Sequence, residues 1–259
     1  MSKVRIEIII KTDIYHVLEF GNFFVHLWNQ ILTLMSICCG CALSKNLCSG
    51  AALPKFELVS FSAGETIFEE NTSLKGVYCI KQGICKIVKL SGQGSEQIIQ
   101  LLGMDTLLGI RSMVNEEKTN LKAVALTPVK ACFLPSESLE HAIQHDPSFS
   151  EYLIKTLAGY IKATDERIVT MGQNQVHERL AILLRYLQQE FGVDENGAFN
   201  IYLKRTEMAN FIGTATESVI RALKSFEQSG WVKSRGKSLQ IIDNKALSHI
   251  ARGFAIASR

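Results

Sequence analysis

The chain lacks several things that would place it outside ordinary globular proteins. No uninterrupted apolar run reaches the roughly 20 residues a membrane span needs. The most apolar stretch, residues 14–37, is broken by His16, Glu19, Asn22, His26, Asn29 and Gln30. A membrane span and a secretory signal are therefore not expected, and the expected location is the cytoplasm. Charge is also scarce. Charged residues make up 20% of the 259 and the net charge is only +3, while 47% are hydrophobic, so disorder is excluded and one large or two ordinary domains fit. Nor is there an even set of cysteines. Seven, in a reducing compartment, argue against a disulfide framework.

The cysteines that are present are crowded. "CCGCALSKNLC" puts Cys38, Cys39, Cys41 and Cys48 within eleven residues. Cys-x-x-Cys spacing serves a redox dithiol, a metal site and an iron–sulfur site alike. Residues 1–34 offer no capping or turn logic, and Met35 is an alternative start. The modest net charge is uneven as well. Residues 173–259 hold 12 basic against 8 acidic residues, whereas residues 1–172 hold 16 against 17. A mildly basic C-terminal third is compatible with nucleic acid and equally with a solvated surface.

The hydrophobic period changes twice along the chain. From Phe56 to about Pro135, short alternating runs separated by glycine predict an antiparallel β-roll or barrel, with "VYCIKQGICKIVKL" reading as a hairpin about Gly83. Then Ile154, Leu157, Ile161, Thr164, Ile168 and Met171, with Gln175 beyond, step by 3 and 4, a heptad seam that predicts a parallel dimer helix. A second amphipathic helix covers 178–191 and ends at Gly192. Residues 201–242 predict a short helix with Thr206 as N-cap, a break at Gly213, a second helix from about Thr216 to Gln228, and a hairpin with "SRGKS" at its tip. That order describes a winged helix-turn-helix.

With these blocks in place, residues 38–250 resemble the CRP/FNR family of bacterial transcription regulators. The resemblance rests on "GETIFEENTSLKGVYCIKQGICKI", on the heptad helix running into "HERLAILLRYL", and on "LKRTEMANFIGTATESVIRALKSF". It implies an α+β chain that is not an enzyme. Its parts would be an N-terminal extension over 1–37, a cysteine segment and β-roll sensor domain resembling a cyclic-nucleotide-binding domain over 38–148, a dimerisation helix over 149–172, and a winged helix-turn-helix over 173–259. Asn71 stands where the family often has glycine, and asparagine tolerates positive φ. The Glu-x-x-x-Arg spacing looks like the family's DNA reader. Glu217 and Arg221 share a helix face, and Arg suits guanine O6 and N7 while Glu can accept from the cytosine amino group. The plainer reading of that pair is a surface ion pair. By resemblance, Thr216, Glu217, Ser218 and Arg221 face the bases. Lys224, Lys233, Arg235 and Lys237 contact phosphate. Ile220 replaces a small polar residue. The implied partners are double-stranded DNA carrying an inverted repeat, a second copy of the chain, and RNA polymerase.

Members that bind cyclic nucleotides use Gly-Glu-Leu and an Arg-Ser or Arg-Thr pair. Here Gly109 is followed by isoleucine, Asn120-Leu121 or Lys122-Ala123 stands where the pair would, and Arg111-Ser112 comes too early. Cyclic nucleotide binding is therefore not expected. The FNR branch matches better at the cysteines. Its [4Fe–4S] oxygen sensors use an N-terminal cysteine run and one distant cysteine before a short segment ending in proline. Cys38 (or Cys39), Cys41, Cys48 and Cys132 are the implied ligands, although six residues rather than five separate Cys41 from Cys48. The implied mechanism is an intact cluster favouring the dimer and oxygen releasing DNA. Uncharged Thr164, with Asp165 and Glu166 beside it, replaces an acidic seam residue and predicts a more persistent apo-dimer. Cys79 and Cys85 read as buried core thiols. The alternative is a CRP-like regulator answering to a small molecule or to thiol oxidation.

Overall fold

The computed structural model describes residues 56–92 and 94–251. Cys38, Cys39, Cys41 and Cys48 lie outside the described residues. Eight short strands form two four-stranded antiparallel sheets. The first runs β1 (Glu57–Phe61), β8 (Val129–Pro135), β3 (Gly76–Gln82), β6 (Leu107–Leu108), and the second β2 (Thr66–Phe68), β7 (Lys122–Ala125), β4 (Cys85–Leu90), β5 (Glu96–Leu102). The two-residue alternation of a strand sends side chains to opposite faces. Ile80, Ala131, Ile87 and Ala123 fill the space between the sheets. Val77, Cys79, Cys132 and Leu134 face outward into a second apolar layer.

The sequence "VYCIKQGICKIVKL" is not a hairpin. β3 belongs to the first sheet and β4 to the second, so Gly83 marks a corner at which the chain crosses between sheets. Gly83 has φ 92°, and a Cβ there would lie 2.2 Å from the Pro128 carbonyl oxygen. The neighbouring amide of Ile84 donates to Thr127 Oγ1 at 2.8 Å. Asn71 takes φ 62°, as its chemistry allows.

After β6 comes α1 (Ile110–Val114), and after β8 come α2 (Ser136–His145) and the long α3 (Pro147–Gln173). α3 starts cleanly because Asp146 accepts from the amides of Ser148 and Phe149 and Pro147 occupies the first turn. It buries Phe149 and Leu153 on the outer layer of the first sheet. α4 (Val176–Phe191) follows after two residues and ends at Gly192, φ 71°. The C-terminal unit then adds α5 (Arg205–Ile212), α6 (Thr216–Gln228), the ribbon β9 (Val232–Arg235) and β10 (Ser238–Ile241), and α7 (Asn244–Ile250). The N-cap of α5 is Lys204 rather than Thr206. Glu207 reaches back to accept from the Lys204 amide at 2.9 Å, which fixes the first turn two residues earlier. The core of this unit is continuous with Ile84, Val88, Ile98 and Leu101 on the outer face of the second sheet.

Candidate nucleic-acid interface and sensor site

α6 separates its two faces sharply. Val219, Ala222, Leu223 and Phe226 are buried against the C-terminal core. Glu217, Ile220, Arg221 and Lys224 point to solvent, and Thr216 and Ser218 are half-buried. Gly213 in the left-handed region (φ 65°, ψ 54°) closes α5 and turns the chain into α6. None of the five ion pairs among the described residues includes Glu217 or Arg221. Arg221 instead has its guanidinium 3.4 Å from Ser218 Oγ. Both side chains are thus available to a ligand, which the surface-pair reading did not require.

The ribbon carries Lys233, Arg235 and Lys237, all exposed. Two residues that pattern reading missed help to place it. Arg205 donates to Ser234 Oγ at 3.4 Å, and Lys237 lies 5.7 Å over the Tyr202 ring. The available signal was an aromatic residue followed by "LKR" just before the first helix of the motif.

α3 leaves four of its six seam residues, Ile154, Ile161, Thr164 and Ile168, exposed. Ile154, Ile161 and Ile168 recur at seven-residue steps and are 67%, 65% and 64% exposed. Thr164 is exposed too, its hydroxyl donating to the Tyr160 carbonyl at 2.8 Å. Leu157 and Met171 are half-buried, and Leu157 packs on the outer layer of the roll.

That outer layer holds Cys132. It is fully buried in β8, directly opposite Cys79 on β3 and Leu58 on β1. Residues directly opposite in a sheet share a face, so all three side chains lie on one side of the sheet. Cys79 and Cys132 are covered there by Leu139, Phe149 and Leu153, whereas Leu58, at the edge, is 52% exposed. Phe56, the first described residue, packs at the edge of the same layer. Cys85 is buried in the other layer, where desolvation pushes its thiol up to about 12.

Both stretches proposed to stand in place of an Arg-Ser pair, Asn120-Leu121 and Lys122-Ala123, have their polar groups engaged within the protein. The Arg111 guanidinium donates to Asn120 Oδ1, Lys89 donates to the Asn120 carbonyl at 2.9 Å, and Leu121 packs into the roll interior. Lys122 is paired with Glu69 at 3.0 Å. A cavity of about 850 Å³ nevertheless opens between β5, α3 and α4, lined by Ile99, Leu101, Tyr160, Ile182 and Tyr186 among others. Arg179 reaches it with a buried, unbonded Nε.

The β-roll, the long helix and the C-terminal unit meet at Arg167. Its guanidinium donates to the carbonyls of Ile98, Ile99 and Phe211 and lies 4.1 Å from the Phe211 ring centroid. Burial pulls its pKa down to about 10. Beside it, Gln97 donates to the carbonyls of Asn210 and Phe211, and Lys86 pairs with Glu207 at 3.1 Å.

This architecture has known relatives. The family profile of the cyclic nucleotide-binding domain matches residues 58–146, and that of the Crp-like helix-turn-helix domain matches residues 178–250. A CRP-like cAMP-activated global transcriptional regulator of Mycobacterium tuberculosis is 31% identical over 205 residues, covering 78% of this chain and 92% of the relative. The chain belongs to the CRP/FNR family of transcription regulators. It is therefore a DNA-binding regulator and not an enzyme. Another CRP/FNR relative, the fumarate and nitrate reduction regulatory protein of Escherichia coli, is 28% identical over 193 residues, 73% of this chain and 76% of that one. The solved FixK2 structure from Bradyrhizobium japonicum superposes with a TM-score of 0.70 at 21% identity, over 78% of this chain and all of that one, and shares the CRP/FNR fold. Among the described residues no helix is long and apolar enough to cross a membrane.

Proposed function

We propose that this regulator senses oxygen or redox state through a [4Fe–4S] cluster held by Cys38, Cys41, Cys48 and Cys132, and reads an inverted-repeat DNA site as a dimer. The observation that carries the sensor reading is strand register. β1, which emerges from the cysteine-rich segment, lies beside β8 with Leu58 opposite Cys132. The ten residues from Cys48 to Leu58 span at most about 35 Å, so the upstream thiols are tethered to the strand that holds the distant one. The donor chemistry fits, since such a cluster takes four thiolates and supplies an oxidisable iron–sulfur centre. In this proposal Cys132 is the one ligand among the described residues, and the other three come from the upstream segment.

The chain's own residues supply the link from sensor to output. Cys132 shares its layer with Phe149 and Leu153 of α3, so altered packing at Cys132 bears on the helix whose exposed isoleucines form the dimer seam. A paired α3 sets two copies of α6 side by side, each offering Glu217, Arg221 and Lys224 to a half-site, while Lys233, Arg235 and Lys237 hold the phosphates. RNA polymerase is the further partner proposed.

A second reading has its own support. The cavity between β5, α3 and α4, with the unbonded Arg179 Nε, suits a small-molecule effector with an acceptor group. Iron and sulfide analysis of anaerobically isolated wild type and Cys132→Ser separates the two. Cluster ligation requires brown absorbance in the wild type and its loss, with fold intact, in the variant. Iron in neither protein would favour the small-molecule reading, and full iron in both would refute the assignment of Cys132.

A further inference from the structure

We infer that Ile220 reads the 5-methyl group of a thymine in each half-site, within a step or two of the base pair contacted by Arg221. The inference rests on the reading of α6 as the base-reading helix. Among the described residues, Ile220 is the only large apolar side chain on α6 that is exposed, at 49%. It cannot be counted with the core, because α6 buries its opposite face through Val219, Ala222, Leu223 and Phe226.

Helical spacing gives Ile220 polar company. It is three residues after Glu217 and four before Lys224, so the three side chains form one stripe, with Arg221 adjoining. A β-branched side chain left in water on a charged stripe gains nothing for the free protein. On a base edge in the major groove, the apolar group offered by the four bases is the thymine C5-methyl. Isoleucine has no donor or acceptor, so it cannot discriminate the other bases by hydrogen bonding. Its stiff χ1 limits where its methyls can lie. The stripe Glu217–Ile220–Arg221 thus combines an acceptor, an apolar contact and a bidentate donor, and the apolar element fixes a thymine.

The test starts from a duplex selected out of a randomised pool by the full-length protein. Replacing one thymine at a time with deoxyuridine deletes only the methyl group. Wild type is expected to lose about fourfold in affinity per half-site at one thymine position, and Ile220→Ser to show no loss there. The inference is overturned if wild type tolerates uracil at every thymine, or if Ile220→Ser keeps the same uracil penalty. The latter outcome would assign the methyl contact to a residue other than Ile220. Arg221→Ala, run on the selected and a scrambled duplex, tells the two levels apart. Loss of sequence preference with no methyl dependence defeats the thymine inference alone, whereas retained preference defeats the base-reading assignment beneath it.

Discussion

Replacing Arg167 with methionine removes the guanidinium while keeping an apolar stem of similar length. Three charge-assisted hydrogen bonds, to the carbonyls of Ile98, Ile99 and Phe211, are worth about 1.5 kcal/mol each. The stack on Phe211 adds about 0.5–1 kcal/mol. Against this stands desolvation. The fall in the Arg167 pKa from 12.5 to about 10 corresponds to about 3 kcal/mol at about 1.4 kcal/mol per tenfold change in protonation. The net contribution is about 2 kcal/mol, roughly a 30-fold bias toward the docked arrangement of roll, long helix and DNA-binding unit. Arg167→Met should therefore raise amide exchange about 30-fold in α5 and at the facing part of β5, while the interior of the roll keeps its protection. Unchanged exchange in α5 would refute the argument, because the remaining contacts (Gln97 to Asn210, Lys86 to Glu207) would then carry the docking unaided.

Two further outcomes follow from the same geometry. Arg221→Ala should lose about 1–3 kcal/mol of affinity per half-site on the selected duplex and far less on a scrambled one, with thermal stability unchanged because the side chain is exposed and outside every ion pair described; equal losses on both duplexes in a fluorescence titration would make it a phosphate contact. Ile161→Glu places a charge at the middle of the exposed stripe Ile154–Ile161–Ile168, and sedimentation should find a monomer with an intact fold; a persistent dimer would move the interface elsewhere.

Helix α6 was legible because its signals are local. Gly213, the spacing of Val219, Ala222, Leu223 and Phe226, and the polar residues between them fix α6 without reference to the rest of the chain. The same locality explains the error at Gly83. Strict alternation in "VYCIKQGICKIVKL" is shared by a hairpin and by a corner between sheets, and the difference lies in pairing with β8, some 50 residues away. Arg167 was illegible for a related reason. On a heptad helix it has the look of a solvated charge, and the carbonyls that accept its hydrogen bonds lie in strands and helices distant in sequence. The cysteines divide in the same way. Burial of Cys79 and Cys85 follows from their strand positions, whereas the register that sets Leu58 and Cys79 on either side of Cys132 is long-range information.

The measurement that tests the central claim most directly is affinity for the selected inverted repeat, determined on anaerobically isolated protein before and after admission of air, with visible absorbance followed on the same sample. An iron–sulfur sensor coupled to α3 predicts a brown protein that binds the repeat as a dimer and loses affinity as the colour bleaches. A colourless protein that binds the repeat equally well with and without air would contradict the account.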